Sequence, residues 1–77
     1  MENLININET FEKVIKIDSK INNKEFEGCI FKNCDFSNSD FSYTTFMDCE
    51  FINCNLSMTK LINSSLKTVT FKNCKLL

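Results

Sequence analysis

Histidine, arginine, tryptophan and proline are absent from the 77-residue chain, and glycine occurs once. Without His, any general acid–base or nucleophilic chemistry would rest on carboxylates, Lys, Ser, Cys or Tyr. Asp35, Asp40, Asp48 and Glu50 all fall on solvent-facing positions of the repeat frame set out below, where a carboxylate is a poor general acid or base. No G-x-G-x-x-G, Walker-type or G-x-S-x-G motif occurs. The sequence therefore predicts a non-enzymatic protein with no cofactor. Without Arg, the planar fork preferred for phosphate and base-edge recognition is missing, which argues against direct nucleic-acid binding. The apolar runs fall far short of the ~20 residues that cross a bilayer, and no signal peptide is present, so no membrane association is expected.

Charge and cysteine narrow the reading further. The net charge of −1 conceals an asymmetry: all ten acids lie in residues 1–50, whereas Lys60, Lys67, Lys72 and Lys75 are the only charged side chains after Phe51. One end of the molecule is expected to be acidic and the other basic. Five cysteines, an odd number in a chain without export features, predict a reduced cytoplasmic protein. Cys29/Cys34 and Cys49/Cys54 have four residues between them, but all five thiols occupy a slot that Ser, Thr and Val also fill. They read as core thiols rather than metal ligands or disulfides.

What the chain does have is a period of five. Phe26, Phe31, Phe36, Phe41, Phe46, Phe51, Leu56, Leu61, Leu66, Phe71 and Leu76 recur at every fifth position, and Ile21 is in phase with them. Two residues before each sits a small side chain: Ser19, Cys29, Cys34, Ser39, Thr44, Cys49, Cys54, Thr59, Ser64, Val69 and Cys74, with Lys24 as the misfit. A helix has a period of 3.6 and a half-buried strand a period of 2, so neither produces this pattern. The chain has to turn a corner every five residues, and four corners close a square coil. A second period marks that coil: Gly28-Cys29-Ile30-Phe31-Lys32-Asn33-Cys34 aligns with Asp48-Cys49-Glu50-Phe51-Ile52-Asn53-Cys54 and with Thr68-Val69-Thr70-Phe71-Lys72-Asn73-Cys74. Columns of like residues at ~4.8 Å spacing follow, Phe31/Phe51/Phe71 and Cys34/Cys54/Cys74 among them. Asn33, Asn38, Asn53, Asn63 and Asn73 suit the corners.

The frame resembles the pentapeptide-repeat family, whose loose consensus is A(D/N)LXX. The resemblance implies a right-handed coil in which the every-fifth residue and the small residue two before it face inward. Small partners are needed because so narrow an interior cannot hold two large side chains per face at native density. The predicted fold is all-β, a right-handed quadrilateral β-helix of about three coils over residues 19–77, preceded by an atypical cap over residues 1–18. The cap reads better as strand than helix, since Ile and Val are β-branched and Asn6 and Asn8 sit poorly in a short helix. Lys24 in a small-residue slot predicts local irregularity there.

For function, the rigid coil suits a structural or protein-interaction module. Phe31-Lys-Asn-Cys-Asp-Phe-Ser-Asn-Ser-Asp-Phe-Ser is also similar to the coils of the quinolone-resistance pentapeptide-repeat proteins. That resemblance implies, as the alternative, a DNA-mimicking rod that binds DNA gyrase. Outward Tyr43 and Ile62 lie near one another on adjacent coils and are a candidate partner contact. Leu66, Phe71, Leu76 and Leu77 have no coil beneath them, so a homodimer through this C-terminal end is expected.

Overall fold

The computed structural model describes residues 5–15 and 22–77. Ser19, Ile21 and the 18/19 boundary lie outside the described residues. Among the described residues, eight three-residue strands alternate between two walls of the coil: β1 (Ile5–Ile7), β2 (Thr10–Glu12), β3 (Glu25–Glu27), β4 (Ile30–Lys32), β5 (Thr45–Met47), β6 (Glu50–Ile52), β7 (Ser65–Lys67) and β8 (Thr70–Lys72). They form two parallel four-stranded sheets, ordered β1-β3-β5-β7 and β2-β4-β6-β8. Every pairing has a register of twenty residues, as in Phe26↔Phe46 and Phe31↔Phe51. The other two walls are narrower and meet through single bridges, Ile15↔Asp35, Asp35↔Asn55, Asn55↔Lys75 and Asp40↔Lys60. The molecule is a quadrilateral β-helix of about three turns, with residues 65–77 starting another.

The corners come from backbone chemistry. A positive φ between 52° and 64° recurs every fifth described residue from Asn8 to Asn73. On the narrow walls the corner is closed by an i to i+3 hydrogen bond: Ser39 N–H to Phe36 O, Thr59 N–H to Leu56 O and Ser64 N–H to Leu61 O. Positive φ at the third turn residue is the type II geometry, which favours Gly or Asn there. Asn38 and Asn63 supply it, while Met58 adopts it without that preference. An acid or amide steadies three turns on these walls, because Asp35, Asp40 and Asn55 each accept, on Oδ1, the N–H of the serine two residues on. This is an Asx turn.

Thr68 is the most strained corner. It is β-branched and exposed at φ 55°, in the column that Gly28 occupies at φ 64°. For an L-residue with a Cβ the left-handed region costs ~1–2 kcal/mol, and Asn is one of the few that visits it readily. Thr68→Asn is therefore expected to stabilise the fold by roughly 0.5–1 kcal/mol, a rise of several degrees in Tm for a domain of this size. An unchanged or lower Tm would show that this corner carries no strain.

The interior is a ladder of phenylalanines. Within a column the rings stack: Phe11–Phe31 at 5.1 Å, Phe31–Phe51 at 4.6 Å, Phe51–Phe71 at 5.3 Å and Phe26–Phe46 at 5.2 Å, all within 14° of parallel. Between walls they meet edge to face, as in Phe46–Phe51 at 65°. Both arrangements are favoured by the ring quadrupole.

The N-terminal segment forms β1 and β2, separated by the corner at Asn8, and joins both sheets in the same register. It tops the stack as a coil with substitutions, placing Asn6 over Phe26 and aligning Glu9 with Cys29, where the coils below use Phe and Cys. Beside Lys24 the Asn23 N–H reaches the Ser42 carbonyl only at 3.4 Å, a longer bond than the 2.8 Å of Gly28 N–H to the Met47 carbonyl, but the coil keeps its register beyond it. The Lys24 carbonyl accepts the Thr45 N–H at 2.9 Å, and the half-buried side chain leaves the ladder intact.

Candidate functional site at the open end of the coil

The inward positions divide by depth in the stack. Phe26, Phe31, Phe36, Phe41, Phe46, Phe51 and Leu56 are buried, as are Cys29, Cys34, Ser39, Thr44, Cys49 and Cys54. Below them, Leu61, Leu66, Phe71 and Leu76 face the same axis but are exposed, at 45, 44, 37 and 53 %, with none of the described residues stacked beneath. Leu77 is 95 % exposed and stands outside the column. The result is an apolar concavity of about 260 Å³, floored by Phe41, Phe46, Phe51, Leu56 and Thr59 and rimmed by Leu61, Leu66, Phe71 and Leu76. β7 and β8 border it as the last strands of their sheets.

Charge surrounds this end asymmetrically. Lys67, Lys72 and Lys75 are exposed around it on three successive walls. Lys72 Nζ lies 2.9 Å from Glu50 Oε2 one coil above. Tyr43 and Ile62 are exposed neighbours on another wall, joined by the Tyr43 N–H to the Ile62 carbonyl at 2.9 Å. Tyr43 is itself a left-handed corner, at φ 60°.

The small slot has a polar duty that a volume argument does not reveal. Cys49 Sγ and Cys54 Sγ lie 3.3 and 3.2 Å from the carbonyls of Phe26 and Phe31, and Cys74 Sγ lies 3.3 Å from that of Phe51. Thr59 and Ser64 place a hydroxyl on the Phe36 and Phe41 carbonyls in the same way, at 3.2 and 2.6 Å. These slot residues thus donate to a carbonyl of the coil above, a group that would otherwise be costly to bury. The signal was in the sequence: from Cys29 to Cys74 every slot residue except Val69 carries a donor. Burial pushes the Cys54 thiol up to about 11 and raises Cys49 as well. Thiols so placed are weak nucleophiles, since the thiolate is the reactive form.

Among the described residues, no cluster of three or more Cys, Asp or Glu converges as a metal site, and no helix is long and apolar enough to cross a membrane. The carboxylates have local duties: Asp35 and Asp40 in Asx turns, Glu50 with Lys72, and Asp48 as a left-handed corner.

A family model described as "Pentapeptide repeat region" matches residues 24–77. The chain belongs to the pentapeptide-repeat family. Comparison with curated proteins gives no match. Among solved pentapeptide-repeat structures, two trypsin-treated variants of QnrB1, described as a plasmid-mediated fluoroquinolone resistance protein, are similar to it at 32 % identity and a TM-score of 0.42 each. The matches cover 84 and 83 % of this chain and 34 % of each QnrB1 chain, so the present chain spans about a third of their length.

Proposed function

We propose that this pentapeptide-repeat chain is a non-enzymatic structural and protein-interaction module that works as a homodimer joined through its C-terminal coil, in the reduced setting of the cytoplasm. The observation that carries the reading is the exposure of Leu61, Leu66, Phe71 and Leu76 around one apolar concavity. Two such ends brought together about a two-fold axis bury one self-complementary surface and close after two chains. The approach of Lys67, Lys72 and Lys75 from each side opposes this, and salt screens exposed charges over ~8 Å at physiological ionic strength. Light scattering is expected to give a dimer that tightens with added salt, and Leu76→Lys to give a monomer. A salt-indifferent monomer of the unmodified chain at tens of micromolar removes the reading.

A second reading, a DNA-mimicking surface that binds DNA gyrase, is favoured by the acidic upper coils, where Glu12, Glu25, Glu27 and Asp48 are exposed. A gyrase supercoiling assay with and without a quinolone separates the two readings. Inhibition or protection at micromolar protein supports the mimic, and the absence of both removes it.

A further inference from the structure

We propose that Asn6 and Glu9 prevent the N-terminal coil from docking onto the C-terminal end of a second copy, so that the chain pairs without growing into a fibre. The inference rests on the open apolar end described under the proposed function. Strand registers define what head-to-tail docking would bring together. Asn6, Phe26, Phe46 and Leu66 share one column, and Phe11, Phe31, Phe51 and Phe71 another. A second copy continuing the stack would seat its Phe11 beneath Phe71 and extend a ladder whose rings already lie 4.6–5.3 Å apart. Its Glu12 would fall beneath Lys72, reproducing the Glu12↔Lys32 alignment within the chain. The acidic upper coils would then meet the basic lower end. Unpaired strand edges invite such growth, and natural sheets block it with inward-pointing charge.

Two residues supply that block. Glu9 stands in the column of Cys29 and Cys49, a slot that is 0 and 2 % exposed wherever a coil lies beyond it. At the top of the stack Glu9 is exposed, whereas docking would shut its carboxylate into a position built for a thiol. An ionised group buried without a partner is among the most unfavourable outcomes in a protein interior. Asn6 would meet Leu66 in a column otherwise filled by Phe and Leu, with an amide that this column has no group to satisfy. Neither substitution disturbs the chain's own ladder, since β1 and β2 keep full register with β3 and β4.

Sedimentation velocity and electron microscopy over rising concentration test the block, comparing the unmodified chain with Asn6→Leu/Glu9→Ser. Both replacements place residues that the same columns or slots already use, Leu66 and Ser39. The double variant is expected to assemble into filaments many times the mass of a dimer and to lose them when Leu66→Lys is added, while the unmodified chain stays at a dimer or below. Circular dichroism confirms folding, and Glu9→Ser alone, expected to shift part of the way, keeps the test valid should the double variant fail to fold. A folded variant no larger than the unmodified chain overturns the proposal, as do filaments of the unmodified chain. A monomeric unmodified chain whose variant polymerises removes the dimer and upholds the block. A dimeric one whose folded variant does not grow does the reverse.

Discussion

Phe46→Ala is expected to remove about 3–5 kcal/mol of stability, a large share of what the chain has. Phe46 is 2 % exposed, stacks on Phe26 at 5.2 Å and meets Phe31, Phe41 and Phe51 edge to face at 6.2, 5.6 and 5.5 Å. Truncating a buried Phe to Ala costs ~3–5 kcal/mol from lost transfer energy and the cavity left behind. A closed ladder of rings on all four walls cannot collapse into that cavity without breaking register elsewhere, which places the cost at the upper end. A chain of 77 residues has, at ~0.05–0.15 kcal/mol per residue, about 4–12 kcal/mol in hand. The same column accepts Leu at position 66, so Phe46→Leu keeps most of the volume and is expected to cost under ~1.5 kcal/mol. Urea denaturation of the two variants reads the difference. An Ala variant within about 1 kcal/mol of the Leu variant would mean that the ladder is loosely packed.

The architecture was legible because the coil imposes one five-residue rule on every wall. A Phe or Leu at each centre and a small residue two before it can satisfy neither a helix nor a plain strand, so Phe26 to Leu76 determined the fold before any contact was known. The corners were only half legible. Asn33, Asn38, Asn53, Asn63 and Asn73 announced them, but Lys13, Tyr43, Met58 and Thr68 hold the same positive φ without any compositional sign. Pairing with the coils above and below overrides their local preference, which makes these positions strained rather than readable. The slot residues were understood as small and missed as donors, because volume and hydrogen bonding select overlapping residue types in Cys, Ser and Thr. The N-terminal segment was harder for a related reason: Asn6 and Glu9 break the frame at its core positions, and only their register with Phe26 and Cys29 shows that they belong to it. Tyr43 and Ile62 are placed side by side as their spacing implied, yet their exposure by itself identifies no partner.

The thiol column makes the fold sensitive to alkali, and the sign follows from where the proton is held. Cys54 is 2 % exposed, and desolvation raises its pKa from an ordinary 9.0 to about 11, with Cys34 and Cys74 in the same column adding to the rise. Cys49 moves in the same direction for the same leading reason. Below pH 9 the folded and unfolded chains both carry the proton on Cys54, so the thiol's contribution is fully present. Between 9 and about 11 the unfolded chain releases it while the folded chain retains it, and stability falls with rising pH because the unfolded state binds fewer protons. A two-unit difference amounts to roughly 2–3 kcal/mol at ~1.4 kcal/mol per unit, a large share of what a chain this short possesses. Cys54→Ser isolates the effect. A hydroxyl in this slot can still donate to the Phe31 carbonyl, as Ser64 does to that of Phe41, and it does not ionise in this range. The unmodified chain is expected to lose about 2–3 kcal/mol more than Cys54→Ser between pH 9 and 11 in urea denaturation, with Cys49 contributing to the slope that both share. Parallel pH profiles for the two proteins would show that the Cys54 proton is held no more tightly in the coil than in water, and the slot would then have to be wetter than its burial implies.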